Sequence, residues 1–277
     1  ERIDSNSDVN QFKYESLEGI ILESSNDMTS KDLDRILFFK SKGLPVLNTL
    51  KWCELILHRI PPYLIKDKYQ IIEKFNLSDS SMKFRIKRIG DFFLSLILIL
   101  ITLPLSILVA ISIYLEDAGP IFYSQLRTGY KGDIIRIYKF RSMVKDAEKH
   151  GAQWASNKDK RITRVGRIIR ATRLDELPQL ISVIEGKMSL IGPRPERPEI
   201  EKELLQKIPY YNYRNIVKPG ISGWAQVNYP YGASIDDTIN KLSYDIYYIN
   251  HISILLDLFI LFKTIKTVFT AKGNKLF

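Results

Sequence analysis

Phe92-Phe-Leu-Ser-Leu-Ile-Leu-Ile-Leu-Ile-Thr-Leu-Pro104-Leu-Ser-Ile-Leu-Val-Ala-Ile-Ser-Ile-Tyr-Leu115 is a run of 24 residues without a charge, bounded by Asp91 and Glu116. As a straight helix at about 1.5 Å per residue it would be roughly 36 Å long, enough for a bilayer core of about 30 Å. A core helix of a water-soluble domain seldom needs so long an uncharged stretch. Pro104 stands in its middle. Proline removes a backbone donor and clashes with the preceding turn, so a kink or break is expected there. Lys83, Arg85, Lys87 and Arg88 precede the run; Arg127, Lys131, Arg136, Lys139 and Arg141 follow it. Basic residues mark the cytoplasmic flank of a membrane segment, and here both flanks are basic. A segment that enters, breaks at Pro104 and returns on the same side accounts for both flanks.

The charge of the whole chain is distributed in the same way. The formal net charge is +10. Residues 83–173 carry 18 Lys and Arg against 7 Asp and Glu, whereas residues 1–82 carry 11 against 13. A basic zone of this kind suits an anionic lipid surface, a polyphosphate substrate or nucleic acid. The apolar run inside the same zone argues against nucleic acid. Cys53 is the single cysteine and the three histidines are far apart in sequence, so a disulfide within the chain is excluded and a His-based zinc site is disfavoured.

Outside the run, residues 1–80 read as part of an α/β unit. Gly19-Ile20-Ile21-Leu22 is a short strand, Thr29-Ser30-Lys31-Asp32 starts a helix that Gly43 ends, and Leu44-Pro45-Val46-Leu47 is the next strand. No Gly-x-Gly-x-x-Gly follows the first strand, so a dinucleotide site is not expected. One such unit is too little for a doubly wound sheet, and it reads as a truncated or regulatory scaffold. A polar linker over 76–81 separates it from residues 81–277. Near the end, 252–269 is a second apolar segment. Ile254, Leu255, Leu258, Leu261, Phe262, Ile265 and Phe269 form one helical stripe, interrupted by Asp257, Lys263 and Lys266. The stripe suits an interfacial helix with its lysines toward headgroups, and equally an amphipathic helix on the protein core. The fold class expected is α+β, mostly helical.

The chemistry is expected after the basic zone, in Leu174-Asp175-Glu176-Leu177-Pro178-Gln179-Leu180. Asp175 is a good N-cap and Pro178 is tolerated in a first turn, so a helix is predicted from Asp175 toward Glu185, ended by Gly186. Amides at such a start would keep Asp175 ionised and favour a bound phosphate. An ionised carboxylate there could hold a divalent metal, attack phosphorus, or serve only as a cap. Glu176 adds a second carboxylate. Downstream, Pro193 and Pro195 clamp Arg194 in extended backbone, which suits a guanidinium presented to phosphate. Lys139-Phe140-Arg141-Ser142-Met143 adds two further cations.

Taken together, these stretches identify a family. Lys87-Arg88 with Asp91, Gly119-Pro120-Ile121-Phe122, Gln125-Leu126-Arg127-Thr128-Gly129, Lys139 through Met143, Asp146-Ala147-Glu148, Leu174 through Leu180 and Met188 through Pro195 closely resemble the bacterial sugar transferases, the monotopic polyprenyl-phosphate phosphoglycosyl transferases. Lys218-Pro219-Gly220, Gly223-Trp224-Ala225-Gln226 and Tyr244-Asp245 with Tyr247-Tyr248 complete the pattern. The resemblance implies a re-entrant membrane helix, preceded here by a partial Rossmann-like segment. It also implies a ping-pong transfer of a sugar-1-phosphate from a UDP-sugar to polyprenyl phosphate through Asp175, with Glu176 beside it. Mg²⁺ at Asp175 and Glu176, and phosphates neutralised by Lys139, Arg141, Arg194 and Arg127, follow from the same resemblance. So do a bacterial inner-membrane location with the catalytic domain on the cytoplasmic face, and room for a homo-oligomer. A non-catalytic scaffold of a glycan assembly complex is the alternative. Leu103 before Pro104 departs from the small polar residue that many members carry there.

Overall fold

The computed structural model describes residues 18–22, 29–65, 82–145, 147, 159–230, 232 and 234–269. The expected linker over 76–81 and the motif positions Asp146 and Glu148 lie outside them. The described chain is mostly helical, with three two-stranded sheets. The N-terminal unit is β1 (Ile20–Leu22), α1 (Ser30–Ser41), β2 (Val46–Asn48) and α2 (Thr49–Leu55), with β1 and β2 paired in parallel. Thr29 and Asp32 form a capping box at the start of α1, and Gly43, at φ +84°, turns the chain after it. This part matches the sequence expectation.

The apolar run forms most of α3 (Met82–Asp117). Where a kink or break was expected, the helical backbone continues through Pro104, which stands inside α3. Proline removes only the bond to the carbonyl four residues back, and the turns on either side persist. Large apolar side chains along the middle of α3 face outward, Ile101 being 70% exposed. By length and composition α3 is able to cross a membrane.

Both ends of α3 are fixed to the same globular body. Near its start, Arg88 donates to the carbonyl oxygens of Val183 and, at 2.6 Å, of Ile184. One turn later the Asp91 carboxylate accepts from the Ser189 hydroxyl at 2.7 Å and from the Leu190 amide at 3.3 Å. Lys87 reaches Asp257 at 2.7 Å. At the far end, Val109 and Ile113 are buried against Phe140 and Ile169. There Glu116 accepts from the Arg164 amide at 2.7 Å, and Asp117 pairs with Arg141.

The body between these anchors is built from short elements. Hairpin β3 (Phe122–Thr128) and β4 (Ile134–Phe140) leads to α4 (Arg164–Ala171), α5 (Gln179–Ile184) and β5 (Ser189–Ile191). Then come α6 (Pro198–Lys207), β6 (Gly220–Ser222), α7 (Trp224–Asn228), α8 (Ile235–Asn250) and α9 (Ile254–Phe269). Strand β6 pairs in parallel with β5. The backbones of Gly192 and Gly220 come so close that a Cβ on Gly220 would sit 2.1 Å from the Gly192 nitrogen. Ile135, Ile137, Leu180, Val183, Met188 and Trp224 are among the side chains of the main core.

Helix α9 settles the second apolar segment. Ile260 is buried and Leu256 packs on the main core, while Leu255, Leu258, Phe262 and Ile265 point outward, Leu255 being 80% exposed. The apolar stripe therefore faces away from the core. Lys263 departs from the expectation of lysines reaching outward. Its ammonium lies 4.9 Å from the Trp224 ring centroid and donates to Asn228 Oδ1 at 2.8 Å.

Because Asp91 satisfies a buried hydroxyl and a buried amide at once, its loss strands both. Asp91→Ala is expected to lower the unfolding free energy by roughly 3 kcal/mol, read by chemical denaturation in detergent. Wild-type stability in that variant would mean that the anchor is not where α3 is held.

Candidate active site

Two chain reversals bring the predicted residues together. Helix α4 ends at Ala171, and Arg173 takes a left-handed conformation, φ 56°. A non-glycine residue pays about 1 kcal/mol or more for that geometry. The chain then makes a 3-10 turn, Leu174–Glu176, before α5. The predicted helix start at Asp175 is thus corrected to Gln179, because the 3-10 turn closes first and Pro178 supplies the entry. The predicted end holds: Gly186, at φ +82°, follows Glu185, and Lys187 N–H bonds to Ser182 O at 3.0 Å.

On the other side, β5 delivers Gly192-Pro193-Arg194-Pro195. The Arg194 guanidinium meets Glu176 Oε1 at 2.5 Å, and the Lys139 ammonium, from β4, meets the same oxygen at 3.2 Å. Glu176 is only 8% exposed and Asp175 9%, whereas the Arg194 side chain is 44% exposed. The site therefore has two buried carboxylates, with a guanidinium at the solvent edge.

The two carboxylates differ sharply. Among the described residues, no hydrogen bond or ion pair ends on the Asp175 carboxylate. Burial pushes its pKa above the usual carboxylate range, outweighing the pull of Lys139, with the charge of Glu176 adding to the rise. Because α5 starts at Gln179 rather than at Asp175, burial acts on this carboxyl in place of the expected helix amides; raised to about 6, its pKa still leaves it ionised at neutral pH. Burial alone would raise Glu176 too, but Arg194 and Lys139 outweigh it and hold that carboxyl well below its ordinary value. Burial draws the Lys139 ammonium down, with Glu176 opposing. Arg173 adds a further positive neighbour to both carboxylates.

Not every predicted cation joins this cluster. The Arg127 guanidinium contacts Pro195 O at 3.1 Å, Glu196 Oε1 at 3.2 Å and Gln125 Oε1 at 2.6 Å. Arg141 turns to Asp117 at the end of α3, and its Nε and Nη1 are buried without a partner among the described residues. Sequence reasoning gave no role to Arg214, which donates to Arg194 O at 2.7 Å and pairs with Asp245 at 3.1 Å. Those two partners lie about 20 and 30 residues away in sequence, beyond the reach of a local pattern.

This geometry coincides with a family boundary: a model of the bacterial sugar transferases matches residues 82–271, from the first residue of α3 to two residues past the end of α9. The chain belongs to the bacterial sugar transferase family. Its relatives include a UDP-N-acetylgalactosamine-undecaprenyl-phosphate N-acetylgalactosaminephosphotransferase of Aeromonas hydrophila, 50% identical over 190 residues. That alignment takes in 69% of this chain and 45% of the relative. An undecaprenyl-phosphate glucose phosphotransferase of Komagataeibacter xylinus is 41% identical over 186 residues, 65% of this chain and 35% of the relative. A UDP-glucose:undecaprenyl-phosphate glucose-1-phosphate transferase of Escherichia coli is 38% identical over 193 residues, 68% of this chain and 41% of the relative. The chain thus spans less than half the length of these relatives. Asp175, Glu176, Lys139 and Arg194 of this sugar transferase all lie inside the matched region.

Glu176→Gln removes the charge that compensates Lys139 and Arg194. It is expected to cost about 2 kcal/mol of stability, less than a fully buried pair because Arg194 is half exposed. Chemical denaturation of the purified variant measures this, and an unchanged midpoint would show that the cluster contributes nothing to the fold.

Proposed function

We propose that this sugar transferase moves a sugar-1-phosphate from a UDP-sugar to polyprenyl phosphate, releasing UMP. The observation that carries the reading is the contrast between the carboxylates: Asp175 is buried and, among the described residues, unpaired, beside a Glu176 already held by two cations. In the first step an Asp175 oxygen attacks the β-phosphorus, the bond from that phosphorus to the bridging oxygen breaks, and UMP leaves. The phospho-sugar is then bonded to Asp175. In the second step an oxygen of the lipid phosphate attacks the same phosphorus, the bond to Asp175 breaks, and a lipid diphosphosugar forms. Lys139 and Arg194 stand where charge accumulates on the phosphoryl oxygens, the electrostatic role that phosphoryl transfer demands.

Mg²⁺ belongs to this proposal. It binds through one or two carboxylates together with water and substrate phosphates rather than in a full protein cage. Asp175 and Glu176 fit that donor set, and among the described residues no cluster of three or more metal-ligating side chains offers another. When bound, the ion would neutralise the phosphates.

The membrane arrangement is proposed with it. Basic residues flank the apolar run on both sides, and both ends of α3 are bonded to one body. We therefore place both ends on the cytoplasmic face of the bacterial inner membrane, with α3 re-entrant in one leaflet and the outward stripe of α9 at the headgroup boundary. For the donor, N-acetylgalactosamine ranks first, since the relative named for it is 50% identical and those named for glucose are 41% and 38%.

UMP release from a panel of UDP-sugars, with detergent-solubilised protein, Mg²⁺ and undecaprenyl phosphate, is expected with UDP-N-acetylgalactosamine. It should vanish in Asp175→Asn and on chelation of the divalent ion. No release with any sugar would instead favour a non-catalytic scaffold. Cysteines placed at the exposed Lys83 and Glu116 in a Cys53-free background should label from the cytoplasmic side only. Labelling from opposite sides would replace the re-entrant arrangement by a spanning one.

A further inference from the structure

The segment that presents Arg194 cannot hold its own shape. Pro193 and Pro195 have no N–H, so the segment makes few backbone bonds of its own. Its carbonyls are instead held one after another from outside. Pro193 O accepts from the Gly220 amide at 2.9 Å, and Arg194 O from Arg214 Nη2 at 2.7 Å. Pro195 O accepts from Arg127 Nη1 at 3.1 Å, and Glu196 O from the Thr128 amide at 2.8 Å. Two of the four donors are backbone amides, fixed by the sheet pairs around them. The other two are arginine side chains, which have to be held in turn.

Arg214 is held unusually well. It lies in the 3-10 helix Tyr211–Ile216 with its side chain 11% exposed. Besides the Arg194 carbonyl, Nη2 meets Asp245 Oδ2 at 3.1 Å, and Nη1 donates to the Tyr211 hydroxyl at 2.5 Å. The guanidinium also stands 5.1 Å over the Tyr211 ring. Asp245, on α8, and Tyr211 are each 2% exposed. A buried carboxylate is costly unless paired, and among the described residues the partner of Asp245 is Arg214. The planar fork of the guanidinium is what lets one side chain meet a carbonyl, a carboxylate and a hydroxyl together; a lysine ammonium has neither that reach nor that geometry.

We infer that Arg214, backed by Asp245 and Tyr211, is a positioning residue for the phosphate-binding Arg194. It touches no substrate. It fixes the carbonyl of the residue whose guanidinium faces Glu176, so it sets where that guanidinium stands when the donor diphosphate arrives. The inference rests on the reading of Arg194 given under Proposed function. Small displacements of such a group carry large kinetic penalties, on the order of a hundredfold for about 1 Å.

The test is a double-mutant cycle on the full chain in detergent, read as UMP release from the UDP-sugar that wild type turns over best. Arg214→Lys keeps the charge opposite Asp245 and should lower kcat/KM about a hundredfold, with the variant still folded by thermal unfolding. In an Arg194→Ala background the same change should cost nothing further, because the residue it acts through is gone. Tyr211→Phe removes one hydroxyl, and should show a smaller loss that disappears in the same background. Multiplicative losses in the Arg194→Ala background, or wild-type rates in Arg214→Lys, would overturn the inference while leaving the proposed reaction intact. A wild-type protein that releases UMP from no donor would overturn both.

Discussion

One face of one helical turn holds the two halves of the site in register. Arg88 and Asp91 are three residues apart on α3 and so lie on the same side of it. Arg88 caps the carbonyl end of α5, whose start lies three residues after Glu176. Asp91 takes the hydroxyl and amide of β5, whose end lies three residues before Arg194. The contact between Arg194 and Glu176 is thus made by two arms that a third element grips at their roots. That element is the apolar helix, so how α3 sits in its surroundings and how the carboxylates meet the cations are mechanically linked. Lys87 extends the link to Asp257 on α9, and the Tyr248 hydroxyl donates to the same carboxylate at 2.7 Å. Both helices with outward apolar faces therefore share one buried polar network.

Within the site, neighbouring residues of the same chemical type are given opposite fates by their surroundings. Glu176 is held through Oε1 by Lys139 and Arg194, and stays a fixed negative charge. Asp175, one residue earlier, is buried to the same degree and has no partner among the described residues. Environments that drive two carboxyl groups apart commonly divide roles between them. Arg141 is a third case: it follows directly on β4, two residues after Lys139, yet faces Asp117 and keeps two buried nitrogens unpaired among the described residues.

Much of this was legible before any coordinates. The apolar run, its basic flanks, the N-terminal strand–helix–strand and the Gly186 stop all follow from local rules of length, capping and backbone freedom, and the structure reproduces them. The cluster of Asp175, Glu176, Lys139 and Arg194 was legible through motif resemblance and charge. What escaped was non-local. Asp175 looked like an N-cap because Asp and Pro are common in first turns; the left-handed Arg173 and the 3-10 turn that displaced the helix start are fixed by packing against β4. The bond from Arg127, a residue expected at the phosphates, to the Pro195 carbonyl is likewise something its sequence cannot show. At Pro104, where local cost predicts a kink or break, the helical backbone continues, with both halves of α3 tied down elsewhere.

The N-terminal unit changes how the domain should be delimited. Ile60 and Ile65 are buried with Leu204, Ile208, Tyr211, Leu242 and Ile246 in a second core, apart from the one under the site. The Ile60 amide donates to Ser243 O at 2.8 Å, and the Trp224 indole donates to His58 O at 2.8 Å. His251 closes the contact against Glu54 at 3.2 Å. Residues 57–65 are thus an integral wall of the catalytic body, although the family match begins at Met82. The evolutionary unit and the cooperative unit have different edges. A cut at the family boundary would open the second core to water beside Tyr211, the ring on which Arg214 rests.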